Sequence, residues 1–302
     1  MKDQTIGIEV EMTGITRGQA AKIVAEYLNA KIEKTNDGYD THKIIAPDNR
    51  VWKIMSDASI LTRKKEDKKI VLASKHYSVE LVSPILKYDE DIDTLQELIR
   101  RLRKAGAISD SQYQCGIHIH IGANKHTPNT LKNLVNLIAS KEELIYKSLQ
   151  VDEERARYCK KINENLIETI KQRKPKTIPA LADIWYGDFG VEDRSRHYHS
   201  SRYHGLNLHS TFTKGTIEFR LFNGTLHAGK IRSYIVFCLA VSNQALKQKN
   251  AIPRRTIVEN EKYAFRCWLL RLGLIGEEFK NCRKHLMESL DGDAAFKTPR
   301  TI

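Results

Sequence analysis

The stretch CGIHIHIG, Cys115 to Gly122, alternates small or apolar residues with two histidines. In a β-strand, residues that are two apart share a face, so Cys115 and the three isoleucines point to one side of the strand. His118 and His120 point to the other side. One face therefore suits a hydrophobic core, while the opposite face carries two imidazoles. By itself the pattern also fits a half-buried strand whose polar side meets solvent.

Three other stretches repeat this alternation: TIGIEVEMT (5–13), SVELVS (78–83) and TIEFRLF (216–222). Each has apolar residues on one face and acidic residues on the other. If these strands share a sheet, its polar face carries Glu9, Glu11, Glu80, His118 and Glu218. Several carboxylates on one surface repel one another unless cations neutralise them. Oxygen ligands with an occasional imidazole suit magnesium or manganese better than zinc, so the pattern predicts a metal site. The alternative is a solvated sheet face.

Arg220 lies two residues beyond Glu218, on the same predicted face. A guanidinium binds phosphate with two parallel hydrogen bonds, and magnesium with a nearby arginine is a common site for phosphoryl transfer. The alternative is an internal Arg–Glu ion pair. The sequence contains no P-loop, glycine-rich kinase loop or dinucleotide-binding fingerprint. A nucleotide site would therefore need a sheet lined with carboxylates.

Composition limits the remaining function classes. The 302 residues are 41% hydrophobic and carry a formal net charge of +13, which favours an anionic partner such as nucleic acid, an acidic protein or a phosphate-bearing small molecule. No nucleic-acid-binding signature accompanies the charge. No apolar run approaches the length of a membrane span, and the first residues lack a signal-peptide pattern, so we expect a cytoplasmic protein without a membrane partner. The five scattered cysteines argue against disulfides and a thiolate zinc site.

The sequence pattern predicts an α+β fold, with an antiparallel sheet, in one catalytic domain over residues 1–302. We expect a helical insertion at about 127–180 and a mostly helical section at about 229–302. The predicted strands are 5–13, two or three within 40–83, the histidine strand, and a hairpin over 205–222, with 61–70 as an exposed loop. The predicted helices are 17–28, 93–107, 127–150, 153–172, a buried helix at 229–246, and at least two more.

Six fragments in order carry a resemblance to a known family: IGIEVEM, SDASI, VELVSPIL, CGIHIHIG, RYHGLNL and TIEFRLFNGTL. From about Ile6 to Leu226 the chain resembles the putative amidoligase family, within the carboxylate–amine ligases that include glutamine synthetase and gamma-glutamylcysteine synthetase. The resemblance implies a curved antiparallel sheet of the glutamine-synthetase type with flanking helices. In that group the sheet carries magnesium ions that bridge ATP and substrate. The substrate carboxylate takes the γ-phosphate, and an amine then displaces phosphate from the acyl phosphate.

The resemblance also assigns roles to residues. It implies that Glu9, Glu11 and Glu218 bind metal, and that Glu80 and His118 are metal or substrate ligands. It implies that Arg220 meets the transferring phosphate. The full set that the resemblance assigns is then catalytic Arg220, Glu218 and Asp57, nucleotide-binding Arg202, Asn207 and Arg220, and metal-binding Glu9, Glu11, Glu80, His118 and Glu218. Asp57 stands in DASI, where Ala58 replaces the glycine of the family pattern. The role of His120 and of the basic stretch 194–204 stays open.

These observations favour an ATP- and Mg²⁺- (or Mn²⁺-) dependent ligase that joins a carboxylate substrate to an amine acceptor. The acceptor could be an amino acid, a peptide or a protein side chain. Two alternatives remain from the sequence. One is a divalent-metal hydrolase or phosphoesterase that uses the same acidic face. The other is a basic nucleic-acid-binding protein that keeps a decayed ligase fold, which is possible but not favoured.

Overall fold

The alternating stretches of the sequence form strands in the computed structural model, which describes residues 1–151, 153–255 and 258–298. The strands are β1 (Thr5–Met12), β2 (Lys31–Lys34), β3 (His42–Ile45), β4 (Val51–Met55), β5 (Arg63–Glu66), β6 (Lys69–Leu72), β7 (Val79–Val82), β8 (Leu86–Lys87), β9 (Gly116–Gly122), β10 (Leu206–Asn207) and β11 (Thr216–Asn223). The helices are α1 (Arg17–Leu28), α2 (Tyr88–Lys104), α3 (Pro128–Ser148), α4 (Glu153–Ala156), α5 (Glu164–Arg173), α6 (Ile178–Trp185), α7 (His209–Lys214), α8 (Ala228–Lys247), α9 (Glu261–Arg271) and α10 (Lys280–Met287). The predicted α+β class, with a large antiparallel sheet and several helices, is confirmed. The glutamine-synthetase type of curvature stays a prediction.

Two compact units make up the chain. The sheet unit consists of Lys2–Ile119 and Phe222–Arg232. The helical unit consists of Met1, His120–Leu221 and Ser233–Ile302. Strand β9 passes from the first unit into the second after Ile119. The single catalytic domain over 1–302 stays a prediction.

The sheet unit has the strand order β9-β1-β7-β4-β3-β2, with β8 paired to β1. β1 and β7 are antiparallel, and their register places Val10 opposite Leu81 and Glu11 opposite Glu80. Alternation puts the apolar residues of β1 on one face, where Ile8 is 1% exposed and Val10 is fully buried. Helices α1 and α2 contribute the apolar stripe that packs against this core, as the predicted amphipathic pattern of α2 requires.

Residues 61–70 were predicted as an exposed loop, and this prediction is wrong about the backbone. β5 and β6 pair as an antiparallel hairpin. The two residues between them, Asp67 and Lys68, have φ values of 45° and 66°. Positive φ at both central residues is typical of the type I′ turn, whose twist matches that of paired strands. The side chains are largely exposed, as the charge run indicated, and Leu72 is 76% exposed.

In the helical unit, one helix was predicted over 153–172, but the structure has two short ones. α4 and α5 are separated because the backbone of Lys160 pairs with another segment instead of continuing a helix. Its N–H donates to the carbonyl of Tyr203 at 2.9 Å, and its carbonyl accepts from the N–H of Gly205 at 2.9 Å. Asn163 then caps α5 by accepting from the N–H of Asn165. Tertiary pairing therefore overrides local helix propensity here.

The predicted hairpin over 205–222 is confirmed as a pair of antiparallel strands, with Leu206 opposite Phe219 and Asn207 opposite Glu218. The connection differs from the predicted turn, since α7 fills it and ends at Gly215, whose φ is 71°. Glycine adopts this left-handed conformation without steric cost. The two-strand register brings the polar side chains of β10 and β11 together.

Helix α8 was predicted as buried nearly all round, and the structure confirms this. Ile235, Val236, Phe237 and Leu239, which point in different directions around the helix, are fully buried. The two further helices predicted beyond it are α9 and α10. Among the residues that the structure describes, no helix has the length and apolar character needed to cross a membrane.

The five cysteines are all unbonded thiols, as the scattered spacing predicted. Cys115, Cys159, Cys238 and Cys282 are buried, whereas Cys267 in α9 is only half-buried. Burial raises the pKa of the Cys159 thiol and raises that of Cys238 far above its ordinary value. Both are therefore packing residues with very little thiolate at neutral pH.

Glu142 of α3 is an acid in the core of the helical unit. It is 1% exposed, one oxygen accepts from the N–H of Ile162 at 2.8 Å, and Oε2 has no hydrogen-bond partner among the described residues. Burial raises its pKa from the ordinary 4.5 to about 7, and the nearby cations Arg255 and Lys161 only partly oppose this. The folded protein therefore binds a proton here that the unfolded chain releases at lower pH.

This proton makes stability depend on pH in a defined direction. The folded-state pKa lies above the unfolded one, so the stabilising contribution is complete below pH 4.5 and is lost as pH rises through about 7. The shift corresponds to roughly 3 kcal/mol across this window. We expect Glu142→Gln to unfold at higher denaturant concentration than wild type at pH 8. Its free energy of unfolding should also depend less on pH than that of wild type. Urea unfolding at several pH values measures this. Glu143→Gln, at the neighbouring exposed residue, should leave the slope of unfolding free energy against pH unchanged. Equal slopes in wild type and Glu142→Gln would contradict the assignment of the proton to Glu142.

Candidate functional site

The polar face of the sheet unit is buried, which the sequence alone did not decide. Glu11 is 4% exposed, Glu80 is 8% exposed and His118 is 6% exposed, while the side chain of Glu9 is 21% exposed. The alternative of a solvated face is therefore wrong for Glu11, Glu80 and His118, whereas Glu9 is half-buried. Since Glu11 and Glu80 lie directly opposite each other on β1 and β7, two carboxylates share one low-dielectric surface. Such a pair needs a proton or a cation nearby.

His118 lies between two glutamates of β1. Its Nδ1 is 3.0 Å from Oε2 of Glu9, and its Nε2 is 3.8 Å from Oε1 of Glu11. The second oxygen of Glu11 accepts from the N–H of Gly116 at 2.6 Å. The structure thus places His118 of β9 beside Glu9 and Glu11 of β1, on one face of the sheet as predicted. An imidazole flanked by carboxylates is held in one orientation, which a metal ligand requires.

Asp57 joins the same face from the turn that follows β4. Its backbone N–H donates to Oγ of Ser78 at 3.0 Å, and this hydroxyl in turn donates to the carbonyl of Asp57 at 2.6 Å. One carboxylate oxygen accepts from the N–H of Ser59 at 2.7 Å and from its hydroxyl. Ala58 is not among the residues with positive φ, so replacing the family glycine introduces no backbone strain. Ser59 and Ser78 hold this turn, and sequence reasoning did not single them out.

Two groups of potential ligands converge in the sheet unit. Ligand atoms of Glu9, Glu80 and His118 all lie within 4.8 Å of one another, and so do those of Glu11, Asp57 and Glu80. Glu80 belongs to both groups, so one carboxylate could serve two cation positions. Carboxylate oxygens with a single imidazole are the donor set that magnesium or manganese prefers. The side chains present therefore fit the predicted cations.

In the helical unit, Glu218 is held by two side chains. Oε2 of this carboxylate accepts from Nδ2 of Asn207 at 2.7 Å, and Oε1 accepts from Nη1 of Arg220 on the same strand. Both charged residues are buried, with Glu218 at 3% and Arg220 at 6% exposure. Arg155 was not predicted, and it donates to the carbonyl of Arg220 at 3.0 Å. The Arg–Glu pair that the sequence left as an alternative is therefore present, and the metal and phosphate roles of these residues stay predictions.

Asn207 is oriented by a hydrogen-bonded chain that the sequence did not reveal. The N–H of His209 donates to Oδ1 of Asn207 at 2.8 Å, which directs Nδ2 toward Glu218. Nε2 of His209 lies 3.1 Å from the carbonyl of Arg196, and Nδ1 lies 2.7 Å from the hydroxyl of Tyr186. Because a carbonyl only accepts, Nε2 carries the proton and Nδ1 accepts from the tyrosine. Burial lowers the pKa of His209, which favours this neutral form.

Arg202 and His120 also lie in the helical unit, each with local partners. The Arg202 guanidinium lies 5.2 Å from the ring centre of Tyr198 and 5.9 Å from that of Tyr203, and it donates to the carbonyl of His197 at 3.1 Å. These contacts do not test its predicted nucleotide role. His120 is 8% exposed, and its Nδ1 lies 3.0 Å from Oγ1 of Thr216.

The basic stretch 194–204 is exposed in its first half and partly buried in its second half. Residues 194–198 are exposed, whereas His199 is 1% exposed and Ser201 is fully buried. The ring of His199 stacks on His209 at 5.2 Å, with an interplanar angle of 19°. A purely surface loop is therefore wrong for its second half, since His199 packs beside the residues that orient Asn207.

Comparison with known proteins gave one family match. Residues 2–242 match a family model described as "Putative amidoligase enzyme". The matched range includes every residue of the candidate site, from Glu9 to Arg220. A comparison with curated proteins gave no match.

Proposed function

The chain belongs to the putative amidoligase family, and from this premise we propose that it is an ATP- and Mg²⁺-dependent ligase. It would form an amide bond between a carboxylate and an amine through an acyl-phosphate intermediate. The observation that carries the proposal is the buried group of carboxylates and one imidazole in the sheet unit, with Glu80 common to both sets. Because the chain belongs to this family, we prefer a ligase to a hydrolase that would use the same ligand side chains.

The side chains divide the work of the proposed reaction. Glu9, Glu11, Glu80 and His118 would hold divalent cations, and when bound these ions would neutralise charge on the phosphate oxygens of ATP. Asp57 is fixed by its serine partners and would complete the ligand set. In the helical unit, the buried Arg220 would stabilise negative charge on the phosphoryl group as it transfers.

Glu218 would hold that guanidinium in position, since its Oε1 accepts from Arg220. Asn207 would position Glu218 in turn, through the bond to Oε2.

The identities of the carboxylate substrate and the amine acceptor stay open. Amino acids, peptides and protein side chains all fit the reaction class as acceptors. A reaction that consumes ATP suits the cytoplasmic location that the sequence predicts.

The direct test is ADP release with magnesium, ATP and panels of carboxylates and amines. We expect release that requires both substrates, together with an amide product whose mass equals that of the two substrates less one water. Release of phosphate that is independent of any amine, with no condensed product, would instead support the hydrolase. Salt-sensitive binding to DNA or RNA without any turnover would support the nucleic-acid-binding alternative.

Metal binding can be tested without knowing the substrates. A ligand at about 100 times its Kd stabilises the folded state by about 2.7 kcal/mol, so Mg²⁺ or Mn²⁺ with ATP should raise the melting temperature by several degrees. We expect Glu80→Gln to need about tenfold more cation, or roughly 1.4 kcal/mol of affinity. Glu33→Gln on the exposed strand β2 is the matched control and should titrate as wild type. An unchanged midpoint in Glu80→Gln would contradict the metal site.

A further inference from the structure

A pocket of about 900 Å³ lies within the helical unit. It is lined by the beginning of α3, the end of α5 with the residues that follow it, and segment 250–254. None of the candidate site residues lines this pocket. Segment 250–254 also lies beyond the family match, which ends at residue 242. The size is ordinary for a ligand site.

Five cations and one acid line the pocket. Lys171 pairs with Glu168, the single acid, at 3.1 Å, and Lys132 donates to Asn250 at 3.1 Å. The charged groups of the other three, Lys174, Lys176 and Arg254, make no hydrogen bond or ion pair with any residue that the structure describes. Helix α3 begins at the pocket and α5 ends there, so their opposite dipole ends offset each other. Side chains therefore supply the positive charge.

Lys174 has a backbone conformation that lysine seldom adopts. It caps α5 with φ 45° and ψ 60°, a left-handed geometry in which glycine or asparagine is usual. Strained positions of this kind concentrate at functional sites, and Lys174 is one of the residues that line the pocket.

The remaining wall of the pocket is largely apolar. Ile167 and Ile170 of α5 contribute to it, as do Pro175, Ile252 and Pro253. Ile252 is 74% exposed, so its apolar side chain is left open to solvent at the same pocket as these cations. The pocket therefore offers both charge and apolar surface to a ligand.

We propose that this pocket binds an acidic polypeptide segment that also carries apolar side chains. Glutamates or aspartates would pair with Lys174, Lys176 and Arg254, while aliphatic side chains would cover Ile252 and its neighbours. Single-stranded nucleic acid is disfavoured because the described lining residues include no aromatic side chain on which a base could stack. Four of the five cations are lysines, which act as point charges and lack the planar fork that matches phosphate.

Fluorescence anisotropy tests this without any turnover, so its outcome is independent of the proposed ligase activity. The probe is a short fluorescein-labelled peptide of glutamates and leucines. The pocket variant combines Lys174→Asn, Lys176→Gln and Arg254→Gln. The matched control combines Lys68→Asn, Lys65→Gln and Lys69→Gln on the exposed β5–β6 hairpin, and it removes the same charge. Asparagine suits the left-handed backbone at both 174 and 68.

We expect the wild type to bind the acidic peptide, with affinity that weakens as salt is raised. The pocket variant should lose about tenfold in affinity, whereas the hairpin variant should stay within about twofold of wild type. A peptide with glutamine in place of glutamate should bind weakly to all three proteins. Equal losses in the two variants would assign binding to net charge alone and overturn the proposal. It would also be overturned by absence of acidic-peptide binding, or by tighter binding of oligothymidylate that the pocket variant loses.

Discussion

Replacing Arg220 with alanine is expected to lower ADP release at saturating Mg-ATP by about a hundredfold or more, because the contact that is lost is strongest in the transition state. The affinity for Mg-ATP should stay within about tenfold of wild type. The same change should lower the free energy of unfolding by about 3–5 kcal/mol, since it removes the guanidinium that pairs with the buried carboxylate of Glu218. Asn207 keeps one oxygen of Glu218 bonded and should reduce this loss. Urea unfolding and ADP release, both measured well below the melting temperature, report the two effects.

Arg50→Ala provides the matched control for stability. Arg50 pairs at 2.7 Å with Asp91, a carboxylate that is 5% exposed and keeps one other donor, the N–H of Lys87. Removal of either arginine therefore deletes the ion pair of a buried acid. We expect both variants to lose stability but only Arg220→Ala to lose turnover. Normal turnover by folded Arg220→Ala, with a verified substrate pair, would exclude the phosphoryl role. The ion pair would then be purely structural.

Replacing Leu81 with alanine is expected to lower the free energy of unfolding by about 2–5 kcal/mol. Leu81 is fully buried on β7, where the sheet register places it between Val10 of β1 and Ile54 of β4. Truncation would leave a cavity that neighbouring strands cannot fill without losing their pairing. Thermal and urea unfolding measure the loss.

Two controls test whether the loss of stability comes from the burial of Leu81 and from the face of β7 on which it lies. Leu72→Ala makes the same change at a side chain that is 76% exposed and should alter stability by less than about 0.5 kcal/mol. Glu80→Gln changes the residue beside Leu81 on the opposite face of β7. It should preserve stability in the absence of metal, or raise it by relieving repulsion with Glu11. If Glu80→Gln unfolded while Leu81→Ala behaved as wild type, the two faces would be assigned the wrong way round.

The strands and their faces could be predicted because alternation is a local property. Ile8 and Val10 lie in the core, as predicted, and the alternate residues Glu9 and Glu11 lie on the other face. The order of the six family fragments also identified the family. Burial of that polar face could not be predicted in the same way, because exposure depends on what covers a strand. The sequence therefore left a metal site and a solvated face as alternatives. The burial of Glu11 and Glu80 excludes a solvated face at these two residues.

The errors occur where backbone pairing interrupts or replaces the structure that the local sequence pattern predicts. The helix predicted over 153–172 is interrupted because Lys160 pairs with Tyr203 and Gly205, more than forty residues away. The hairpin of β5 and β6 depends on two consecutive positive φ values, which a charge run such as KKEDKK conceals. Orientation of Asn207 by His209 likewise needs Tyr186, more than twenty residues away, to contact His209. The helix break and the orientation of Asn207 are set by tertiary contacts and the hairpin by its local turn, and none of the three has a periodicity in the sequence that would indicate it.

The placement of the cysteines gives experimental access to the protein in solution. Four thiols are inside the fold, so under native conditions a maleimide dye should react chiefly at Cys267, the half-buried residue of α9. The natural sequence thus offers a preferred attachment point without engineered mutations, and α9 carries none of the candidate site residues. A dye there could report the conformational response to nucleotide or peptide, by quenching or energy transfer, in the unmodified chain. Slow labelling of the other four thiols would then time the opening of the core itself.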